Sequence, residues 1–373
     1  SAGSYFYNNG LIQASGNIAG WANGQLHQYA GSRTIAGGDI TLDTTAMITN
    51  EGIYQAGADR TLSLTSGDYL YNYGAARMSA GTINLRSTGA QVPNVTGGII
   101  TGGAVNIDAA TWLQNHGAIV AAGDLSVTTG GYLYNYASLT AGGDASLTST
   151  TDAVYNILGG VMDVEGDLHI DAATWLYNNG LIDVAGNVNG VAGTRVHQYA
   201  GARTLAGGDI TVSSTTNILT NNGAYQAGGN IDLSSHGYLY NHTGGLINGY
   251  DITLTSAADY VYNHGDAVIN AGGVVSIDAA TAIYDYGDLY AGSVAFTADS
   301  VDTRRDGYYL LNGTVNANSY YADVGEWYDT ANSSLTIGDR ASTVYDIRIN
   351  SDGYIVMHGD VSVAGAAYLT AGE

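Results

Sequence analysis

Residues Gly166 to Gly186 read GDLHIDAATWLYNNGLIDVAG, and this stretch holds the unit on which the chain is built. It contains three short alternating runs: Leu168-His169-Ile170, Trp175-Leu176-Tyr177-Asn178 and Leu181-Ile182-Asp183-Val184. Small or turn-forming residues separate them, namely Asp171-Ala172-Ala173, Asn179-Gly180 and Ala185-Gly186. Alternation over a few residues marks a half-buried strand, and Asn-Gly and Ala-Gly are corner chemistry. No run has the i, i+3, i+4, i+7 spacing of a helix. One such unit cannot bury its own apolar row, whereas stacked copies can.

Two markers recur with this period. The Asn closing the middle run returns at Asn8, Asn50, Asn72, Asn94, Asn115, Asn135, Asn156, Asn178, Asn221, Asn241 and Asn263, in steps of about 20–23 residues. Gln28, Gln198 and Asp285 fill three further slots. A cluster of small residues and glycine followed by a polar and an apolar residue keeps the same beat, as in Ala36-Gly37-Gly38-Asp39-Ile40 and Ala206-Gly207-Gly208-Asp209-Ile210. A longer echo relates Tyr7–Ile12 to Tyr177–Ile182, His27–Gly31 to His197–Gly201, and Ile107–Thr111 to Ile277–Thr281. Each offset is about 170 residues, or eight coils, which reads as a tandem duplication.

These patterns predict an all-β fold, a right-handed parallel β-helix (β-solenoid) with about 21 residues and three short strands per coil. The hand follows from the right-handed crossover preference of parallel strands. The six-residue beat of a left-handed β-helix is absent. Roughly seventeen coils at a rise of ~4.8 Å would make a rod about 80 Å long. Residues 1–297 are expected to be regular coils carrying the duplication, and 298–373 irregular terminal coils or a small β cap.

Composition narrows the function. The 54 glycines against the single Pro93 suit many tight corners at positive φ, in strands that keep their backbone donors. The net charge of −23, from 33 acidic residues and ten arginines with no lysine, repels nucleic acid and anionic membranes. A nucleic-acid partner is excluded on that ground, and the lack of lysine excludes a Lys–Asn isopeptide crosslink. No apolar run approaches the ~18 residues of a membrane span, so membrane insertion is not expected. The absence of cysteine leaves the compartment open. The opening Ser1-Ala2-Gly3 has neither a starting methionine nor a signal peptide, which reads as a processed or trimmed chain.

Units such as Gly123-Asp124-Leu125-Ser126-Val127, Leu133-Tyr134-Asn135 and Leu139-Thr140-Ala141-Gly142-Gly143-Asp144 resemble the repeats of filamentous haemagglutinin-type exoproteins. These are the large adhesins and contact-dependent toxin carriers of two-partner secretion, and the resemblance covers about residues 5–297. It implies an extracellular β-helical shaft on a bacterial cell surface, used as a stalk or in adhesion. The sequence departs from the family in opening directly inside a repeat, without the amino-terminal secretion domain, and in lacking a toxin-like carboxyl domain.

If Leu176 and Asn178 point inward, Trp175 and Tyr177 point out. The outward slots then form two aromatic columns, Tyr69, Trp112, Tyr132, Trp175, Tyr238 and Tyr260 in one, and Tyr71, Tyr134, Tyr155, Tyr177, Tyr240, Tyr262 and Tyr284 in the other; Tyr5 and Tyr7 begin them. Such a face can stabilise itself by about 0.2–1 kcal/mol per pair, seat a neighbouring rod, or stack on surface sugars. The inward Asn column predicts a structural amide ladder. Asp124, Asp144 and Asp167 fall on consecutive coils after the small-Gly cluster. They either splay into water or share a weakly held cation such as calcium; the nine-residue calcium-binding repeat is absent, and otherwise no metal or cofactor is expected. His116, His242 and His264 share the slot after the ladder Asn, without the carboxylate at fixed spacing that a metal site needs.

Arg304-Arg305, flanked by Asp302 and Asp306, is the densest charge cluster and reads as a salt bridge in an irregular coil. Coils that differ by only a residue or two leave no inserted loop for a cleft, so no catalytic residue is assigned and no enzyme is expected, although polysaccharide-degrading enzymes also use β-helices. The last residues, Tyr368 to Glu373, stop in mid-pattern without a readable capping helix. That favours end-to-end stacking into filaments or a segment of a longer shaft. The functional expectation is an extracellular structural filament or shaft subunit, with an adhesin segment binding glycans as the alternative.

Overall fold

In the computed structural model, the alternating runs are strands and each pairs in parallel with its counterpart one coil further on. The structure describes residues 3–311, 313–317, 319–329, 334–337, 346–351, 355–357, 359–364 and 366–371. The expected terminal residues 1–2 and 372–373 and the run positions Asn312, Val344, Tyr345 and Tyr354 lie outside them. The chain divides into two compact units, Ser1–Ala192 and Gly193–Glu373, and every regular element among the described residues is a strand. Among the described residues no helix is long and apolar enough to cross a membrane.

Within the first unit one coil consists of Leu125–Thr129, Leu133–Asn135 and Ser138–Ala141. These pair with the next coil as Leu125↔Ala145, Leu133↔Val154 and Ser138↔Val161. Three strands per coil are therefore present, and the fold is a parallel β-solenoid with the expected period. Leu133 and Asn135 are buried while Tyr134 between them faces outward, as strand alternation requires. The second unit repeats the arrangement, with Ile210–Ser214 on Ile231–Ser235, Leu219↔Leu239, and Ala224↔Leu246. Its later strands continue to stack past residue 297. Ser293–Thr297 pairs with Gly313–Ala317, and Ser300–Leu311 pairs with Ser319–Asp329 with a register shift between Arg305 and Tyr308.

The corner between the third strand and the next coil's first strand carries a feature the sequence reading did not anticipate. Corner carboxylates accept the backbone N–H of the following coil: Asp144 N donates to Asp124 Oδ1 at 3.1 Å, Asp167 N to Asp144 Oδ1 at 2.9 Å, and Asn187 N to Asp167 Oδ1 at 2.7 Å. In the second unit Asp209, Asn230 and Asp251 do the same. Where Thr82 and Ala104 hold this slot, no such cap forms and Arg77–Ser87 and Ile99–Ala109 run through the corner as single strands. Two of the three faces thereby join into one sheet.

Glycine acts differently from the expectation of positive φ. Among the described residues only Gly31, Gly74, Gly97, Gly159, Gly201 and Gly244 adopt it. Many others sit where two corners stack so closely that a side chain has no room. A Cβ on Gly130 would lie 1.9 Å from the Ala110 carbonyl oxygen, and one on Gly142 would lie 2.2 Å from that of Ala122. Parallel coils bring corner backbones into direct contact, and this excludes any side chain whatever the dihedral angles.

The buried Asn column forms the amide ladder. In the first unit each Nδ2 donates to the Oδ1 one coil on: Asn50 to Asn72, Asn72 to Asn94, Asn94 to Asn115, Asn115 to Asn135, Asn135 to Asn156 and Asn156 to Asn178, at 2.8–3.0 Å. The second amide proton reaches a backbone carbonyl of the next coil, as from Asn135 to Val161 O at 3.0 Å. Oδ1 also accepts from the glycine N–H two residues on, as at Asn8, Asn50, Asn115 and Asn178. Asn8 instead donates to Gln28 Oε1, whose longer side chain is held by Thr34 and donates to Ile53 O, so the Asn–Asn series starts at Asn50. In the second unit Asn221, Asn241 and Asn263 continue the pattern, and the fully buried Asp285 accepts from Asn263.

Two stability outcomes follow from these contacts. Asn135→Ala leaves Asn115 without its acceptor and Asn156 without its donor, and is expected to destabilise the fold by about 2–5 kcal/mol, since each buried unsatisfied group costs about 1–3 kcal/mol. Tyr134→Phe beside it should stay within about 0.5 kcal/mol, which urea titration of both variants will read. Gly31→Ala meets open space at φ 79° and should cost about 1–2 kcal/mol. Gly130→Ala, facing backbone, should lower the urea midpoint further than Gly31→Ala does.

Candidate functional site: an outward aromatic face

Because Leu and Asn of the middle run point inward, the residues between and beside them project from one face of each unit. In the first unit Tyr69 stacks on Tyr71 and Tyr71 on Tyr73, with ring centroids 5.4 and 4.9 Å apart. Tyr132, Tyr134 and Tyr155 form a second group, with Tyr132–Tyr134 at 5.3 Å and Tyr134–Tyr155 at 5.0 Å. Tyr155 meets Tyr177 edge-on, and Trp175 stacks on Tyr177 at 5.7 Å. In the second unit Tyr238 stacks on Tyr260 at 5.6 Å, Tyr240 lies 5.0 Å from Tyr262, and Tyr262 lies 6.0 Å from Tyr284. Each predicted face residue thus projects outward in its unit.

The face is neither flat nor continuous. The coil between Tyr71 and Trp112 holds no ring in these slots, which are filled by buried Gln91 and Pro93 and half-buried Val95, so the first unit carries separate aromatic groups. Gln91 bends toward the gap and its Nε2 donates to the Tyr71 hydroxyl at 3.2 Å. The rings meet in stacked, tilted and edge-on pairs, so each group packs on itself rather than forming one flat plane. A third column, after the ladder Asn, belongs to the face; the sequence reading placed His116, His242 and His264 in that slot but missed the tyrosines that share it. It contains Tyr73, His116, Tyr136, His242, His264 and Tyr286, and its signal was the simple continuation of alternation past the Asn. His116 stacks on Tyr136 at 4.2 Å, and His242 on Tyr240 at 4.8 Å.

Several tyrosine hydroxyls on this face are held against ionisation. Burial pushes the Tyr134, Tyr155 and Tyr262 hydroxyls above their ordinary range, while for Tyr132 the leading cause is a hydrogen bond with Asp152. The Tyr260 hydroxyl donates to that of Tyr240 at 3.2 Å. Paired in this way, the hydroxyls act as hydrogen-bond donors and acceptors. An open groove of about 600 Å³ is lined by Trp112, Gln114, Tyr132, Tyr134 and Asp152.

The other sequence candidates fall elsewhere. Asp124, Asp144 and Asp167 line an open groove of about 560 Å³ beside His169 and Asn187, with Oδ1 of each engaged by the backbone N–H described above. No three His, Cys, Asp or Glu side chains converge as metal ligands among the described residues. His242 and His264 lie on adjacent coils, and His264 accepts or donates at Thr243 Oγ1 at 3.0 Å. Asp302 forms a two-point contact with Arg304, at 3.0 and 2.7 Å, and accepts the Tyr286 hydroxyl at 2.9 Å. Arg304 also lies over the rings of Tyr286 and Tyr321, so the cluster is a structural fork on an aromatic seat. The side chains of Arg305 and Asp306 lie outside the described residues.

The repeat, the parallel pairing and the ladder define a β-solenoid protein. Comparison with protein-family models, with curated proteins and with solved structures finds no match.

Two histidines of the second unit, His197 and His242, make its stability pH-dependent. Burial first, then Arg195 and His242, lowers the pKa of His197; burial first, then His264, lowers that of His242. The folded state therefore resists protonation that the unfolded chain accepts below about pH 6.5. Stability contributed by these groups is full above pH 6.5 and declines as the pH falls through that value. His242→Phe keeps the ring stack, and the drop in its urea midpoint from pH 7 to pH 5 should be smaller than that of the wild type.

Proposed function

We propose that this chain is an extracellular structural protein, a shaft of a bacterial cell surface whose tyrosine-rich face makes lateral contacts with neighbouring copies. The observation that carries this reading is the outward aromatic face itself, held in register within each unit by a buried amide ladder. The resemblance of its repeats to filamentous haemagglutinin-type exoproteins supports the location and the adhesive use. Self-association end to end belongs to the same proposal, since the parallel pairing that joins coils within a unit is available between copies. A structural rather than catalytic role is supported by the corner carboxylates, which are used to cap backbone N–H groups. The groove at Trp112 favours a second reading, binding of a surface glycan.

Sedimentation velocity over a range of concentrations tests the first reading. Assembly that grows with concentration is expected, and it should be lost in the triple variant Tyr132→Ser, Tyr134→Ser, Tyr155→Ser with the circular dichroism of a β-protein retained. A monomer at every concentration, with the triple variant merely less stable, would show that the rings serve only to stabilise one another.

A further inference from the structure

The groove beside Trp112 is unlike the rest of the face. Leu113 N donates to Tyr132 O at 3.1 Å, so Trp112 and Tyr132 project side by side from adjacent coils. Tyr132 stacks on Tyr134, but among the described residues no ring lies against Trp112. The coil on its other side offers Gln91, Pro93 and Val95, none of which is aromatic. Trp112 is half-buried beside the Tyr132–Tyr134–Tyr155 group and lines the groove together with Tyr132 and Tyr134. Thr111 Oγ1, shielded from solvent and without a hydrogen-bond partner, also lines the groove, as does Gln114.

Asp152 closes the rim. It accepts Thr174 Oγ1 at 3.3 Å and is hydrogen-bonded with Tyr132, but no arginine or histidine pairs with it among the described residues. A carboxylate without a cationic partner, in a groove lined by Trp112, Tyr132 and Tyr134, attracts a cation both by charge and by the ring quadrupoles. The net charge of −23 adds to this attraction and opposes any anionic ligand. Gln114 and Thr111 supply neutral hydrogen-bonding groups of the kind that sugar hydroxyls require.

We propose that this groove binds a saccharide carrying free amino groups, with an ammonium held between Asp152 and the Trp112 face and hydroxyls held by Gln114 and Thr111. The proposal rests on the glycan reading of the face and names the class of sugar.

Isothermal titration at pH 5.5 and low salt with the glucosamine tetramer, the N-acetylglucosamine tetramer and tetramethylammonium tests it. The glucosamine tetramer should bind at least about tenfold more tightly than its acetylated counterpart, the size of one partly desolvated cation contact. Asp152→Asn should erase that preference, added salt should shrink it, and Trp112→Ala should abolish binding of both tetramers while the circular dichroism is unchanged. Equal binding of the two tetramers would overturn the amino-sugar assignment and leave the glycan reading standing. Binding of neither would overturn both, and tetramethylammonium binding as tightly as the glucosamine tetramer would show a site for cations without a sugar.

Discussion

The structure depends on one constraint: the polar groups at the inner corner of each coil are paired within the coil or with the coil above or below, because leaving them unpaired in the core is costly. Asn meets this demand at the inner corner. It carries two donors and an acceptor with two lone pairs, enough to bond the next amide, the next coil's backbone and its own turn together. A hydrophobic residue would leave the turn's N–H and the neighbouring carbonyl unpaired. Gln reaches too far and needs Thr34 to hold it, while Asp can only accept, which is why Asp285 stands after Asn263 and not within the series.

The outer corner solves the same problem with exposed groups. There the carboxylates of Asp124, Asp144 and Asp167 repeat on consecutive coils, and Coulomb repulsion at that spacing would be unfavourable if nothing opposed it. Each one takes a backbone N–H from the next coil, so the charges are anchored by the peptide groups they cap. The acidity of the chain is in this part an architectural device. It also sets what the outward face can meet, since any partner approaches a strongly negative surface.

Much of this was legible in residues alone. Strand alternation, the period, the inward Asn and the outward Tyr all follow from spacing, because each depends only on which side of a strand a residue occupies. Three things were not legible. The role of glycine at Gly130 and Gly142 lies in contact between coils, which no local dihedral preference reveals. The joining of two faces at Thr82 and Ala104 has no signal in those residues, since Thr61 and Val274 hold the same slot, also without a cap, between strands that stay separate. The breaks in the aromatic face needed the outward slots of every coil to be filled in, including Gln91 and Pro93, rather than only those that hold a ring. The same limit hid Tyr54 and Tyr225, fully buried tyrosines that alternation alone would have filled with an aliphatic side chain.

Along the Asn ladder of each unit, every amide faces the same way, nitrogen toward the following coil and oxygen toward the preceding one. Such a series has a sense, like a staircase whose treads all overhang in one direction. Adding or removing part of a coil would put a donor against a donor or leave an inner corner empty, whereas a whole coil can be gained or lost with every bond re-formed. A gene encoding this protein can therefore lengthen or shorten without penalty only in steps of about one coil, and recombination between its near-identical repeats supplies steps of that kind.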